Sequence, residues 1–148
     1  MGVTVVTGDL FTSQAEVLVN AVNCKGVSGA GIALQFKQKY PQYQKEYQKL
    51  CYSSQLELGK PILQQVNGKT TKYILSFPTK NHFTETSSLI SVTEGLINSK
   101  PLLNKLPSDY VIAVPKLGAG CGGLKSKNSI SLIESYWGDL EQDVLLYK

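Results

Sequence analysis

Two glycine-dense loops are the parts of this sequence best suited to hold an anion. Gly26, Gly29 and Gly31 precede a helical pattern, and a run from Gly118 to Gly123 follows an apolar strand pattern. Glycine lets backbone amides approach an anion closely, and a helix N-terminus adds partial positive charge. One such loop can equally be a tight turn. Two loops at the carboxyl ends of strands, where open α/β sheets bind ligands, would clamp a diphosphate from opposite sides.

Neither loop matches a common nucleotide-binding pattern. Gly29-Ala-Gly31 is followed by Leu34 where the dinucleotide pattern GxGxxG needs its third glycine, and the Walker lysine pattern is missing from both loops. The loops therefore indicate phosphate binding in general and do not identify a cofactor. No cofactor is expected.

The charge composition favours binding of phosphate by backbone groups. The chain has 15 basic and 11 acidic residues, a net charge of +4, and every basic residue is lysine. Arginine is the usual bidentate ligand of phosphate and of guanine edges, whereas lysine acts as a point charge. A sequence-specific DNA reader is therefore disfavoured, and backbone N–H groups are the expected ligands of phosphate.

Composition predicts one soluble globular domain. The 148 residues are 42% apolar and 18% charged, and the whole span 1–148 is expected to form a single domain. Without a signal-peptide pattern or a long apolar run, we expect a cytoplasmic protein that does not bind membranes. Cys24, Cys51 and Cys121 suggest reduced thiols. A single histidine, His82, predicts no metal site and no hydrolase triad.

Strand and helix patterns alternate along the chain. Apolar runs predict strands over 3–6, 16–22, 62–66, 73–77, 110–114 and 144–147. Helices are expected after residue 31, over 41–51, after a cap at Ser87 or Ser88, and after a cap at Ser126. Asn67-Gly68 predicts a tight primed turn between two strands. The order β-β-α-α-β-β-α-β-α-β predicts a mixed sheet with helices on both faces.

Four blocks of the sequence resemble the macrodomain family, the ADP-ribose-binding module. They are Val6-Thr-Gly-Asp9-Leu10, Val19-Asn20-Ala-Val-Asn23-Cys24, Gly29-Ala-Gly31-Ile-Ala and Leu117-Gly-Ala-Gly120-Cys-Gly-Gly123. With Phe77-Pro-Thr-Lys80-Asn-His82-Phe83, the chain is similar to the terminal ADP-ribose glycohydrolases and to the antitoxin macrodomains that remove ADP-ribose from DNA. The resemblance implies a three-layer α/β/α fold with a mixed central sheet.

The resemblance also implies a binding site for ADP-ribose. Asp9 would accept a hydrogen bond from the adenine amino group, and Asn23 would lie beside the distal ribose. The remaining expected ligand-binding residues are Leu10, Asn20, Cys24, Gly29, Ala30, Gly31, Ile32, Thr79, Leu117, Gly118, Ala119, Gly120, Cys121, Gly122, Gly123 and Leu124. Taken alone, Asp9 is equally well a turn residue, and Asn23 is equally well a loop cap.

Lys80 is the catalytic residue that the resemblance implies, with Asn23 in support. In that branch the lysine attacks the anomeric carbon and opens the ribose, chemistry that requires a neutral amine. The branch ordinarily has an aspartate after Gly-Gly-Leu, and this chain has Lys125 there. A cation cannot replace that general base.

Several functions are therefore open at this point. The first is hydrolysis of ADP-ribose from a macromolecule, with DNA as one candidate, by a monomer whose partner would be a cognate ADP-ribosyltransferase toxin. The second is a non-catalytic reader or sponge of ADP-ribose or a related nucleotide signal, which Lys125 favours. The third is a phosphatase acting on ADP-ribose 1″-phosphate. A DNA-binding module unrelated to ADP-ribose is the fourth.

Overall fold

The computed structural model describes residues 2–119 and 123–148, which form a six-stranded mixed sheet covered by helices on both faces. The strands are β1 (Gly2–Val6), β2 (Val17–Asn23), β3 (Ile62–Gln65), β4 (Tyr73–Lys80), β5 (Val111–Pro115) and β6 (Asp143–Tyr147). The helices are α1 (Gly31–Lys39), α2 (Pro41–Tyr52), α3 (Leu89–Asn104) and α4 (Ser126–Trp137), with a 3-10 turn at Leu10–Thr12. The predicted three-layer α/β/α architecture is confirmed.

The strand order places the ends of several distant segments side by side. The order across the sheet is β1-β6-β5-β2-β4-β3, and all neighbours are parallel except β3 and β4. The carboxyl ends of β2, β4, β5 and β6 therefore lie at one edge, where the loops before α1 and α4 begin. That edge is where a ligand crevice is expected in such a sheet.

Each face of the sheet has its own apolar core. On one face α3 and α4 pack over the sheet, with Leu96 and Trp137 fully buried. On the other face α1 and α2 pack through Phe36 and Tyr47, which are also fully buried. Gly95 lets α3 approach the sheet, since a Cβ there would lie 2.5 Å from Cζ of Phe77.

Three local predictions differ from the structure. Gly68 does not adopt a positive φ, and β3 joins β4 through a seven-residue connection instead of a primed two-residue turn. Ser126 is the first residue of α4, whose N-cap is Lys125, whereas Ser88 caps α3 as expected. Strand β4 continues past Phe77 to Lys80, although Pro78 lies within it.

Pro78 is tolerated because β4 has lost one neighbour by that point. Strand β3 pairs with β4 only from Tyr73 to Ser76, so Pro78 lies opposite β2 alone. A proline without a ladder partner on one side breaks no inter-strand hydrogen bond there. Strand β4 can therefore carry its last residues into the ligand edge of the sheet.

In the part of the chain that the structure describes, no helix has the length and apolar character needed to span a membrane.

Candidate active site

A cavity of about 550 Å³ opens at the carboxyl ends of the central strands. Its walls come from the end of β2, the loop and first turn of α1, the end of β4, the loop after β5 and the end of β6. The lining residues are Ala21, Val22, Asn23, Val27, Gly29, Ala30, Gly31, Ile32, Ala33, Thr79, Lys80, Phe83, Pro115, Lys116, Gly118, Ala119 and Tyr147. Its size is within the range of small-molecule sites.

Asn23 and Lys80 lie next to each other, and both border this cavity. They are register partners on β2 and β4, immediately after a shift in which Val22 pairs with Pro78. Thr79 is the extra residue of the resulting bulge. The bulge brings both Thr79 and Lys80, which are consecutive, to the border of the cavity.

The side chain of Asn23 holds the first loop in shape. Its Oδ1 accepts hydrogen bonds from the backbone N–H of Lys25 at 2.9 Å and of Val27 at 3.3 Å, and its Nδ2 donates to the Val27 carbonyl at 2.8 Å. The hydroxyl of Tyr47 donates to Oδ1 at 3.1 Å and to the Asn23 carbonyl at 2.8 Å. The interpretation of Asn23 as a loop cap is therefore observed, and the residue also borders the cavity.

The first glycine loop runs along one wall of the cavity into α1. Gly29, Ala30, Gly31 and Ile32, all expected to contact ligand, border the cavity. Gly31 begins α1 with a φ of +60°, a conformation that glycine adopts without strain. A Cβ on Gly29 would meet no atom within 4 Å. The first turn of α1 therefore offers its backbone amides to the cavity at a helix N-terminus.

The described start of the second glycine loop also borders the cavity. Gly118 and Ala119 border the cavity, and Gly118 has a φ of +78°. The Gly118 carbonyl accepts a hydrogen bond from the backbone N–H of Leu124 at 2.8 Å, which closes the loop. Gly120, Cys121 and Gly122, also expected to bind ligand, lie outside the described residues.

Several residues expected at the ligand do not border the cavity. Asp9 is exposed, and its Oδ1 accepts a hydrogen bond from the Phe11 N–H at 3.0 Å. Asn20 is fully buried, and its Nδ2 donates to the Tyr43 hydroxyl at 3.0 Å. The others that do not border the cavity are Leu10, Cys24, Leu117, Gly123 and Leu124. Their ligand contacts remain predictions.

Three cavity residues with notable side chains were missed by the sequence reasoning. Phe83, 47% exposed, stacks on His82 with ring centroids 4.2 Å apart. Lys116 borders the cavity and donates to the Ser126 hydroxyl at 3.0 Å. Tyr147, at the end of β6, completes the wall. The remaining lining residues outside the predicted set are Ala21, Val22, Val27, Ala33 and Pro115.

The charged groups around the cavity are cations. Lys80 and Lys116 border it, and the described residues contribute no carboxylate to its lining. Lys125, which occupies the position of the missing aspartate, is exposed at the N-cap of α4 and is not among the lining residues. The arrangement suits an anionic ligand held by amides and two lysines.

Cys24 is a buried free thiol directly after β2. Burial, with a further contribution from the nearby Cys51, raises the pKa of Cys24 from its ordinary value of 9.0 to about 11. Its backbone N–H donates to the Asn81 carbonyl at 3.0 Å, which ties the end of β2 to the segment after β4. Cys24 is therefore placed to support the end of β2 and is not poised as a nucleophile.

Comparison with known proteins places this geometry in a known family. The Macro domain model matches residues 19–133. The chain is 39% identical to a DNA ADP-ribosyl glycohydrolase of Mycobacterium tuberculosis over 143 residues, covering 95% of this chain and 37% of that protein. The chain thus spans less than half the length of that relative. A more distant relative, 28% identical, is the ADP-ribose 1″-phosphate phosphatase of Lodderomyces elongisporus, with 90% of this chain and 92% of that one covered.

Solved structures agree over nearly the full chain. The macrodomain of Thermus aquaticus DarG has a TM-score of 0.89 at 34% identity, with 99% of this chain and 97% of that chain covered. Thermosipho africanus DarTG in complex with ADP-ribose has a TM-score of 0.92 at 31% identity, with 99% of this chain and 41% of that chain covered. The sequence match, the architecture and the cavity agree, and this chain belongs to the macrodomain family.

Proposed function

We propose that the protein binds ADP-ribose in the cavity and hydrolyses it from an ADP-ribosylated macromolecule, with DNA as the substrate. The observation that carries this proposal is the pairing of Asn23 with Lys80, which both border the cavity together with the two glycine loops. The relatives named as DNA ADP-ribosyl glycohydrolases support the choice of reaction and of DNA. The fusion of a DNA ADP-ribosyl transferase with such a hydrolase in Thermosipho africanus supports a cognate transferase as partner.

In the proposed complex the two glycine loops bind the diphosphate. Amides of the first turn of α1 and of the loop at Gly118 would face the two phosphates from opposite walls. Lys116, at the rim, adds a point charge beside them. The distal ribose would then lie over Asn23 and Lys80, at the closed end between β2 and β4.

In the proposed reaction Lys80 Nζ attacks C1″ of the distal ribose. The Nζ–C1″ bond forms as the bond from C1″ to the base nitrogen breaks, and the proton lost by Nζ passes to the departing base. The glycosylamine then opens its ring: the C1″–O4″ bond breaks, O4″ takes the second Nζ proton, and an imine remains. Water adds to C1″, the amine is released, and free ADP-ribose leaves the cavity.

A comparison of lysine variants tests this reaction. ADP-ribosylated DNA and ADP-ribosylated protein are incubated side by side with the wild type, Lys80→Ala and Lys125→Ala. Loss of turnover in Lys80→Ala with retained calorimetric binding of ADP-ribose is expected, while the exposed Lys125 serves as the matched control with unchanged rates. Borohydride reduction during turnover is expected to trap ADP-ribose on Lys80. Normal turnover by Lys80→Ala contradicts the mechanism.

A reader of ADP-ribose is the second candidate function, and one observation favours it. The described lining residues include no carboxylate that could activate water. Tight ADP-ribose binding with no product from modified DNA, modified protein or ADP-ribose 1″-phosphate identifies a reader. Phosphate release from ADP-ribose 1″-phosphate identifies the phosphatase activity named for the Lodderomyces elongisporus relative.

A further inference from the structure

The positive charge of this protein is concentrated in one stretch of the chain. Residues 37–72 carry seven lysines and two glutamates, a net charge of +5, while the rest of the chain has a net charge of −1. The seven are Lys37, Lys39, Lys45, Lys49, Lys60, Lys69 and Lys72, and all are exposed. The stretch covers the end of α1, all of α2, the edge strand β3 and the connection to β4. The surface that this stretch forms therefore carries an excess of positive charge.

A groove runs through this surface, away from the ADP-ribose cavity. It has a volume of about 440 Å³ and lies between α2 and the residues that follow β3. Lys39, Lys45 and Lys49 line it together with the Tyr40 ring and the polar side chains of Gln65 and Asn67. None of these residues borders the candidate active site.

The two glutamates of residues 37–72 do not neutralise the three lysines of the groove. Glu57 forms an ion pair with Lys60 at 3.0 Å, outside the groove. Glu46 borders the groove, and its Oε1 accepts a hydrogen bond from Gln64 Nε2 at 3.2 Å. The Nζ of Lys39 lies 5.2 Å from the ring centroid of Phe11, which positions this cation at the end of α1.

We propose that this groove, defined by Lys39, Tyr40, Lys45, Lys49, Gln65 and Asn67, binds the sugar-phosphate backbone of a nucleic acid strand. Lysines in a concave groove beside an aromatic ring are the combination that binds single strands without sequence preference. Lysine contacts phosphate as a point charge, so the binding is independent of sequence. Amide side chains at Gln65 and Asn67 supply further hydrogen bonds to phosphate or sugar.

Other polyanionic partners fit this surface less well. The exposed large apolar residues of the described chain, which include Ile90, Ile97 and Phe83, all lie outside the groove. A membrane surface needs such residues to insert, and a tight protein interface needs an apolar or aromatic anchor in a pocket. The apolar lining of the groove is Tyr40, Pro41, Tyr43 and Val66. The three lysines and the amide side chains supply the charge and hydrogen bonds that a phosphodiester backbone accepts.

Helix α1 joins this groove to the candidate active site. Its first residues, Gly31 and Ile32, border the cavity, and Lys39 at its last turn lines the groove. A helix of nine residues is about 13 Å long, a distance that roughly four phosphates of a strand cover at about 3.4 Å each. A strand held in the groove can therefore present a modified base to the cavity, and this role in turnover rests on the proposed function.

The test uses unmodified DNA, so that binding is measured without the cavity. Fluorescence anisotropy of a labelled single-stranded oligothymidylate and of a duplex is measured against salt for the wild type and for the groove triple variant Lys39→Gln, Lys45→Gln, Lys49→Gln. The matched control is Lys105→Gln, Lys127→Gln, Lys148→Gln, which removes the same charge from exposed positions outside both sites. Polyglutamate is the competing polyanion.

The groove triple is expected to lose at least about tenfold in affinity at low salt, and its salt slope for the single strand to fall by about two. The control triple is expected to bind almost as the wild type does. Equal losses in both triples, or equally tight binding of polyglutamate, overturn the proposal. Calorimetry with free ADP-ribose separates the two proposals. If the wild type does not bind ADP-ribose, the proposed function is contradicted. Whether the groove binds nucleic acid is decided by the oligonucleotide measurements alone.

Discussion

Asn23 and Lys80 face each other across β2 and β4 one residue beyond a β-bulge at Thr79. The side chain of Asn23 is hydrogen-bonded to the first loop, and both Asn23 and Lys80 border the cavity. A change in the conformation of the loop is therefore expected to move Asn23, the register partner of Lys80, through the hydrogen bonds of the Asn23 side chain. Substitutions that act on the cavity, on the loop support and on the buried thiols have different expected effects.

Gly29→Val is expected to block the cavity without unfolding the protein. A Cβ at this glycine meets no atom within 4 Å, and Gly29 is not among the glycines with positive φ, so the new side chain extends into the space that Gly29 borders. We expect calorimetry to show at least a tenfold loss of affinity for ADP-ribose, with an unchanged urea midpoint. Wild-type affinity in this variant would place the ligand elsewhere.

Tyr47→Phe is expected to loosen the first loop from within. The buried hydroxyl donates to both the carbonyl and Oδ1 of Asn23, so its removal costs about 1–2 kcal/mol in the free energy of unfolding. Affinity for ADP-ribose is expected to fall as well, because Asn23 borders the cavity. Tyr52→Phe is the matched control on the same helix, since Tyr52 is 73% exposed and its hydroxyl is expected to contribute almost nothing. Equal urea midpoints for the two variants would contradict the role of this hydrogen bond.

Because its thiols are buried, the protein is expected to have a lower free energy of unfolding at alkaline pH. Burial raises the pKa of Cys24 to about 11 from 9.0, so the unfolded chain ionises first and the stability present below pH 9 is lost as the pH rises towards 11. Burial also raises the pKa of Cys51 and of the Tyr47 phenol, and both act in the same direction. Urea midpoints measured from pH 7.5 upward are expected to fall, and less steeply in Cys24→Ser. A slope identical to that of the wild type would show that Cys24 does not contribute.

Much of the fold was predictable because its elements have strong periodic patterns. The apolar runs in β2 and β5 have the sequence of fully buried parallel strands, and Phe36 repeats with Ile32 along α1 at helical spacing. The apolar pattern is a poorer guide in α3, since Leu89, Val92, Leu96 and Ile97 suggest one buried face and Ile97 is 47% exposed. The buried face of α3 instead follows Val92, Leu96 and Leu103, with the small residues Gly95 and Ser99 between them.

The parts of the candidate site that belong to sequence motifs could be predicted. The residues that reach the site only because of the order of strands in the sheet could not. The glycine loops and Lys80 are continuous with their strands and were expected at the cavity. Tyr147 reaches the cavity because β6 lies between β1 and β5, an order that no local pattern shows. Asp9 has a local partner in the Phe11 amide, which also explains the 3-10 turn that the sequence reasoning missed.

The bulge at Thr79 makes chain length, as well as residue type, a determinant of chemistry in this fold. Alternate residues of a regular strand point to opposite faces, so without the bulge Thr79 would lie opposite Asn23 and Lys80 would point to the other face of the sheet. Insertion of one residue between Thr79 and Lys80 is therefore expected to move Lys80 out of register with Asn23, so that the proposed turnover is lost while calorimetry still shows binding of ADP-ribose. One inserted residue at a strand end can thus separate ligand binding from the proposed reaction while Asn23 and Lys80 are both still encoded.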